Sequence, residues 1–395
     1  SRIDEKLSRD CGRFSRPEKV LAFLRTESRG GAIRNGRAAP CASAGDRTRD
    51  QRIGAAAPPK RGKTQSFLPP YEKGQRYFIR ILSLAEAIDA AMPFRVGAGS
   101  LAAFNPHSRD ANIFFQAEGH QYILNGTPMR CSVSDVIRSH FSQFDPEYVV
   151  ATHFASWKED AASKYYQLIR YLALVEKQDE EGQRQAIVRL WKAGGKEASE
   201  TGTALHAQIE SYLNDEPDDG SGERQKVEFK QFLAFKEDFA RGRPVRPYRT
   251  EWSVYDEEAG VAGQIDSLWE TEDGSLFMVD WKRCSPAGRR PSDPQQPLGP
   301  DVPAFRDERG LGLCADLPNT KFFHYCVQQN LYKFIVERHY GLRIDRMFLA
   351  QFHPLLEAYN CVAVPDMQDL ASRIMAAERA KSCSGTKRSR SPSPS

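Results

Sequence analysis

No two of the eight cysteines stand in a C-x-x-C pair; they are scattered at 11, 41, 131, 284, 314, 326, 361 and 383. That spacing argues against a zinc or iron–sulfur site and for free thiols in a reducing compartment. No run of about 18 apolar residues occurs, so no membrane-spanning helix is expected. Charge of one sign is also scarce, at a net +4 over 395 residues, and it is unevenly placed. Residues 1–66 hold 16 lysines and arginines against 7 acids, a net +9, which leaves −5 for the rest. A mildly acidic body argues against nucleic-acid binding by bulk charge alone, though not against a local basic groove. Hydrophobic residues at 40% and charged residues at 27% are ordinary for a chain with a substantial core. The first residue is Ser1 rather than Met, consistent with a fragment or a processed form.

Composition divides the chain. Residues 1–66, rich in Arg, Ala, Gly and Ser without periodicity, read as a disordered basic region. Residues 67–111 read as a partly helical linker, with a helix over 74–92 stopped by Pro93. Residues 112–198 read as a hairpin and helical subdomain. Asn125-Gly126 between two strand-like runs marks the hairpin, and Ser134 is the expected N-cap of the next helix. Phe154, Trp157, Tyr165, Leu168, Ile169, Leu172, Ile187, Leu190 and Trp191 then recur at helical spacing. Residues 199–382 follow an order of helices and strands that suits a mixed α/β sheet, interrupted by a Pro- and Gly-rich surface loop over 284–320. Residues 383–395 read as a disordered basic, Ser-rich tail, fit for nuclear import or phosphorylation.

Polar residues inside apolar strands carry the chemistry. In "LFMVDWK", Asp280 and Lys282 share one face of a strand and Val279 and Trp281 the other. An ion pair explains Asp280 and Lys282, and so does a metal ligand beside a catalytic lysine; Asp4/Lys6 and Glu228/Lys230 repeat the spacing elsewhere. Asp266 sits in a second apolar strand, where an unpartnered carboxylate is costly, and Gly263 beside it leaves room for a close approach. A hairpin turning at "ETEDGS" brings Asp266 next to Asp280, and two adjacent carboxylates invite a divalent cation. Upstream, His206 and Glu210 lie four apart beside the buried stripe Leu205, Ile209, Tyr212 and Leu213, which alone describes a surface pair on a helix. Downstream, Gln328 and Tyr332 share one side of an amphipathic helix.

In order, "GTALHAQIE", "YRTEWSVYD", "GVAGQIDSLWE", "FMVDWKR" and "VQQNLYKFIVE" resemble the motifs of the PD-(D/E)XK nuclease superfamily, in its RecB-like exonuclease branch, which includes the mitochondrial genome maintenance exonucleases. The resemblance covers roughly residues 112–380 and includes "SVSDVI", similar to a segment that precedes the core in such proteins. It implies an α/β nuclease core: a central mixed β-sheet flanked by helices, with an N-terminal hairpin and helical extension. It implies that His206, Asp266, Asp280 and the Trp281 carbonyl hold Mg²⁺ or Mn²⁺, that Lys282 serves the attacking water, and that Gln328 and Tyr332 position DNA. Glu251 and Glu210 are accessory candidates. The implied partner is DNA, as single strands or duplex ends, with no membrane; the branch's four-cysteine iron–sulfur set is missing, so no cluster is expected. The long 284–320 insertion departs from the pattern. An inactive nucleic-acid-binding module and an endonuclease of the same fold remain alternatives.

Limited proteolysis is expected to trim residues 1–66 and 384–395 and leave a stable body, since neither segment has apolar periodicity. Early cleavage within 200–280 would contradict these boundaries.

Overall fold

The computed structural model describes residues 100–241, 244–287 and 296–388. The N-terminal region 1–66 and the helix expected over 74–92 lie outside them. The described chain begins with a short helix α1 (Leu101–Phe104) and a three-stranded antiparallel sheet, β1 (Ile113–Gln116), β2 (Gln121–Leu124) and β3 (Thr127–Pro128). Asn125 and Gly126 both have positive φ, 49° and 79°, as the tight turn between β2 and β3 requires. Strand β4 (Cys131–Ser132) leads into α2 (Val133–His140). The cap of α2 is Ser132, not Ser134: its hydroxyl accepts from the Asp135 amide while the Asp135 carboxylate accepts from the Ser132 amide. The acid at the third helical position closes this reciprocal box and fixes the start two residues early.

Three helices then build a lobe with its own core. Helices α3 (Pro146–Glu159), α4 (Tyr166–Leu174) and the first part of α5 (Glu180–Leu213) bury Val150, Phe154, Leu168, Ile169, Leu172, Ile187 and Val188 against one another. The boundary expected at 198 falls inside α5, which continues without a break for 34 residues. Residues 195–200 are exposed all round, and Gly194 and Gly195 have nothing within 4 Å of where a Cβ would sit. The later part of α5 buries Leu205, Ile209 and Leu213 in a second core with α6 (Val227–Ala240).

The main sheet is mixed. Strands β5 (Val245–Asp256), β6 (Val261–Thr271) and β7 (Leu276–Lys282) are antiparallel neighbours; β8 (Ile344–Gln351) runs parallel to β7, and β9 (Asn360–Ala363) antiparallel to β8. Strand β5 takes one edge of β6; β4 and β7 share the other, pairing at 261–262 and 267–270. Between those two pairings β6 and β7 splay apart. Helices flank both faces. Phe277, Val279 and Trp281 pack toward α5 and α6, while Leu276 and Met278 pack toward α7 (Lys321–His339) and α8 (Gln368–Arg388). The chain is therefore an α/β protein with a mixed sheet between helical layers.

Two expectations shift. The insertion after β7 is anchored rather than purely superficial: the fully buried Gln351 side chain accepts from the Leu298 amide at 2.7 Å and donates to the Cys284 carbonyl at 2.8 Å, and Cys314 is buried. Its backbone polar groups thus find partners inside the fold. Helix α8 runs through Arg388, past the tail boundary drawn at 383.

Asp256 closes the bottom of the fold. Fully buried, it accepts from Arg379 Nη2 of α8 at 2.7 Å and from the Ala259 amide at 3.0 Å, with His339 Nε2 of α7 at 3.1 Å. Burial alone would raise its pKa, but His339, Ala259 and Arg379 outweigh it and hold the carboxylate far below its usual range. A depressed folded pKa adds stability above the unfolded value of about 4 and loses it as pH falls toward the folded value. Unfolding free energy should therefore drop below about pH 4, and Asp256→Asn should flatten that dependence, measured by denaturant titration across pH. In α5, Gly195→Ala should raise stability by about 1 kcal/mol, because it adds helix propensity where no neighbour objects. An unchanged midpoint in the same titration would contradict a helix at that position.

Candidate active site

The splay of β6 from β7 opens the site. Register places Ser267 opposite Val279, so Asp266 and Asp280 come next on facing strands and point to the same side. They are no longer paired through the backbone. Instead the Trp281 amide donates to Asp266 Oδ2 at 2.8 Å. Asp280 has 1% of its side chain exposed, and neither carboxylate oxygen has a hydrogen-bond donor among the described residues. The Lys282 ammonium, the exception, lies 2.5 Å from Asp280 Oδ2 and 4.7 Å from the centre of the Tyr325 ring. Burial, reinforced by the Asp266 charge and only partly offset by Lys282, pushes Asp280 well above the carboxylate range. Burial would lower Lys282, but Asp280 and Asp266 carry it above its ordinary value, so the ammonium stays charged.

Helix α5 delivers His206 from the other side of the sheet. Its Nε2 is 3.0 Å from the Trp281 carbonyl oxygen; its Nδ1 is 3.4 Å from Glu251 Oε1 and 3.7 Å from Asp266 Oδ2. Burial would favour the neutral ring, yet Asp266 and Glu251 together raise the imidazole to about 9. One turn further on, burial, with Glu251 and Glu216 nearby, pushes Glu210 up to about 7.

Glu251 is the backbone outlier of the site. It sits on β5 between the pairs Thr250–Ser267 and Trp252–Ile265, yet its φ is +42°, a left-handed value that costs a non-glycine residue in a strand. The Gln264 amide holds its carbonyl at 2.9 Å. The result aims its carboxylate at His206. Ligand atoms of His206, Glu251 and Asp266 all lie within 4.8 Å of one another. Glu251, an accessory candidate from sequence, therefore joins the centre of the group.

Helix α7 covers the opposite wall. Tyr332 is buried, and Gly263 is needed beneath it: a Cβ there would stand 2.6 Å from Tyr332 Cε1. Half-buried Gln328 donates from Nε2 to the Tyr332 hydroxyl at 3.3 Å. Sequence reasoning missed two aromatics. Tyr325 precedes Gln328 and Tyr332 at i, i+3 and i+7, so helical spacing alone would have found it. Tyr122 of β2 is buried near enough to Glu251 and Asp266 that, with burial, their charges raise its hydroxyl; nothing in the hairpin's pattern marks it.

The donor set suits a hard divalent cation: two carboxylates and one imidazole converge at His206, Glu251 and Asp266, the Trp281 carbonyl lies beside His206, and Asp280, which is not in that converging group, holds Lys282 instead. Glu251 and Asp266, joined by Glu210 and Asp280 once these give up their protons, supply the negative charge that would draw a cation in against Lys282 and His206. The 3.0 Å between His206 Nε2 and the Trp281 oxygen is a hydrogen-bonding distance.

Set against known proteins, the chain matches no protein family and no curated protein. Among solved structures, one titled "Crystal structure of SSO0001" aligns over 63% of this chain and 74% of its own, at 10% identity and a TM-score of 0.25, a likeness too slight to carry an argument.

A proton must leave His206 before the ring can serve as a ligand, so apparent Mn²⁺ affinity should climb from pH 6 toward about 9 and then level. Calorimetric titration across that range checks this. His206→Ala should weaken binding and flatten the slope; a slope unchanged in the variant would remove His206 from the site.

Proposed function

We propose that this chain is a divalent-metal-dependent nuclease of the PD-(D/E)XK kind, hydrolysing phosphodiester bonds in DNA, with exonuclease action from strand ends. The observation that carries the reading is Asp280: a buried carboxylate whose oxygens meet no donor but the Lys282 ammonium among the described residues, beside Asp266, at the point where two strands part. A structural ion pair would be expected to satisfy those oxygens.

His206, Glu251, Asp266 and Asp280, with the Trp281 carbonyl, would hold Mg²⁺ or Mn²⁺. Bound there, the cation supplies Lewis acidity to a phosphoryl oxygen and to an attacking water. Lys282 keeps its positive charge at the reacting phosphate, where it offsets the negative charge that builds in the transition state. Once the Asp280 oxygens are engaged, the Tyr325 ring remains to steady the ammonium. Gln328 offers an amide to the strand from the half-buried end of its pair with Tyr332, and Tyr332 fixes that amide's direction.

Two variants separate the reading from a structural ion pair. Asp280→Ala should weaken Mn²⁺ binding and abolish cleavage of linear DNA. Lys282→Ala should bind metal and DNA as before while turnover falls about 100-fold or more, as for loss of a transition-state charge partner. Wild-type turnover in Lys282→Ala would sink the proposal. Covalently closed circular DNA should resist cleavage; its rapid linearisation would instead favour an endonuclease of the same kind.

A further inference from the structure

A row of rings runs along the helical lobe and crosses to the insertion. Phe144 lies 5.3 Å from Trp191, Trp191 lies 5.9 Å from Trp157, and Trp157 stacks on His153 at 5.7 Å. His153 Nε2 then meets Arg306 Nη2 at 3.0 Å, and the Arg306 guanidinium stands 5.1 Å from the Phe305 ring. The middle of the row is half-buried, but its ends are open, with Phe144 at 66% and Phe305 at 61% exposure. The lobe's core accounts for Trp157 and Trp191. Phe144 and Phe305 lie outside that core and add exposed ring faces at the two ends. Backbone strain marks the same place: Arg306 and Asp307 have φ of 52° and 56°, two successive left-handed residues, neither of them glycine.

We propose that this row is a stacking platform for unpaired bases of a nucleic-acid strand. Flat, partly exposed rings with a guanidinium among them suit bases, which offer a π-face whatever their sequence and a phosphate beside each. An apolar protein segment fits less well, because it would bury Arg306, which has no ion pair among the described residues. The proposal rests on the reading of the site as one that cuts a phosphodiester, and α5 connects the two. Trp191 and His206 are on the same continuous helix, 15 residues apart, or about 22 Å along its axis. A strand end held at His206 would therefore have its bases on the platform several nucleotides away.

The test is binding of fluorescein-labelled oligothymidylate of about 20 nucleotides, in EDTA so that no strand is cut, followed by anisotropy and by tryptophan emission. Phe144→Ala and Phe305→Ala should each weaken binding about 5- to 100-fold, the range expected for one stacked base. That ratio should persist at about 1 M salt, where phosphate contacts are screened. Saturating strand should quench tryptophan emission in the wild type. Both variants should hydrolyse bis(p-nitrophenyl) phosphate with Mn²⁺ at the wild-type rate, since that ester is too small to span the two places. Wild-type strand affinity in both variants, or a strand that leaves tryptophan emission unchanged, overturns the platform. Loss of strand binding in the variants, with no ester hydrolysis by the wild type, would uphold the platform and sink the nuclease reading instead.

Discussion

A carboxylate taken out of water either finds opposite charge and donors, or takes up a proton. Asp280 is held between those outcomes, and much of the site follows from how. The parting of β6 and β7 leaves it no partner on β6, Asp266 adds repulsion, and Lys282 supplies an opposite charge at one oxygen. Gly263 gives Tyr332 the space to close the wall above, and Trp281, the residue between Asp280 and Lys282, is fully packed on the far face with Phe232 and Phe235. Such packing prevents the strand from rotating to relieve the charge. The strain is thus local and maintained by an otherwise well-packed sheet.

The surroundings of that strand are also stiff. Aromatic residues of α6 fill the layer under β7 and β8, and buried Gln231 of α6 ties that layer to the turn after β8, donating to the His353 and Leu356 carbonyls and accepting from the His353 amide. A site that must hold ligands to fractions of an ångström gains from this kind of support. The helical lobe is different. Its core is small and shares no buried residue with the two cores of the sheet.

Much of this was legible in the sequence because side chains alternate along β7 and the paired end of β6. Once β6 and β7 were identified, the side on which Asp266, Asp280 and Lys282 emerge followed from parity. The hairpin turn at Asn125-Gly126 was equally plain, since few other pairs tolerate two left-handed residues. What stayed hidden depended on tertiary geometry. Glu251 was ranked as accessory because its strand parity says nothing of a φ of +42°, and Tyr122 comes from a hairpin far away in sequence. The boundary drawn at 198 lies between two cores, but its form was hidden: a loss of apolar periodicity usually marks a linker, whereas here α5 crosses the gap as helix.

That crossing restricts what evolution or engineering may do to residues 192–204. Their side chains touch little, so the identity of each is nearly free. Their number is not. Every residue added to or removed from a continuous α-helix turns everything beyond it by about 100° and shifts it by about 1.5 Å. A single deletion near Gly194 would therefore carry Trp191 and its neighbours to another bearing relative to His206 while leaving both cores intact. The stretch that looks least constrained residue by residue acts as a gauge block, tolerant of substitution and intolerant of a change in length.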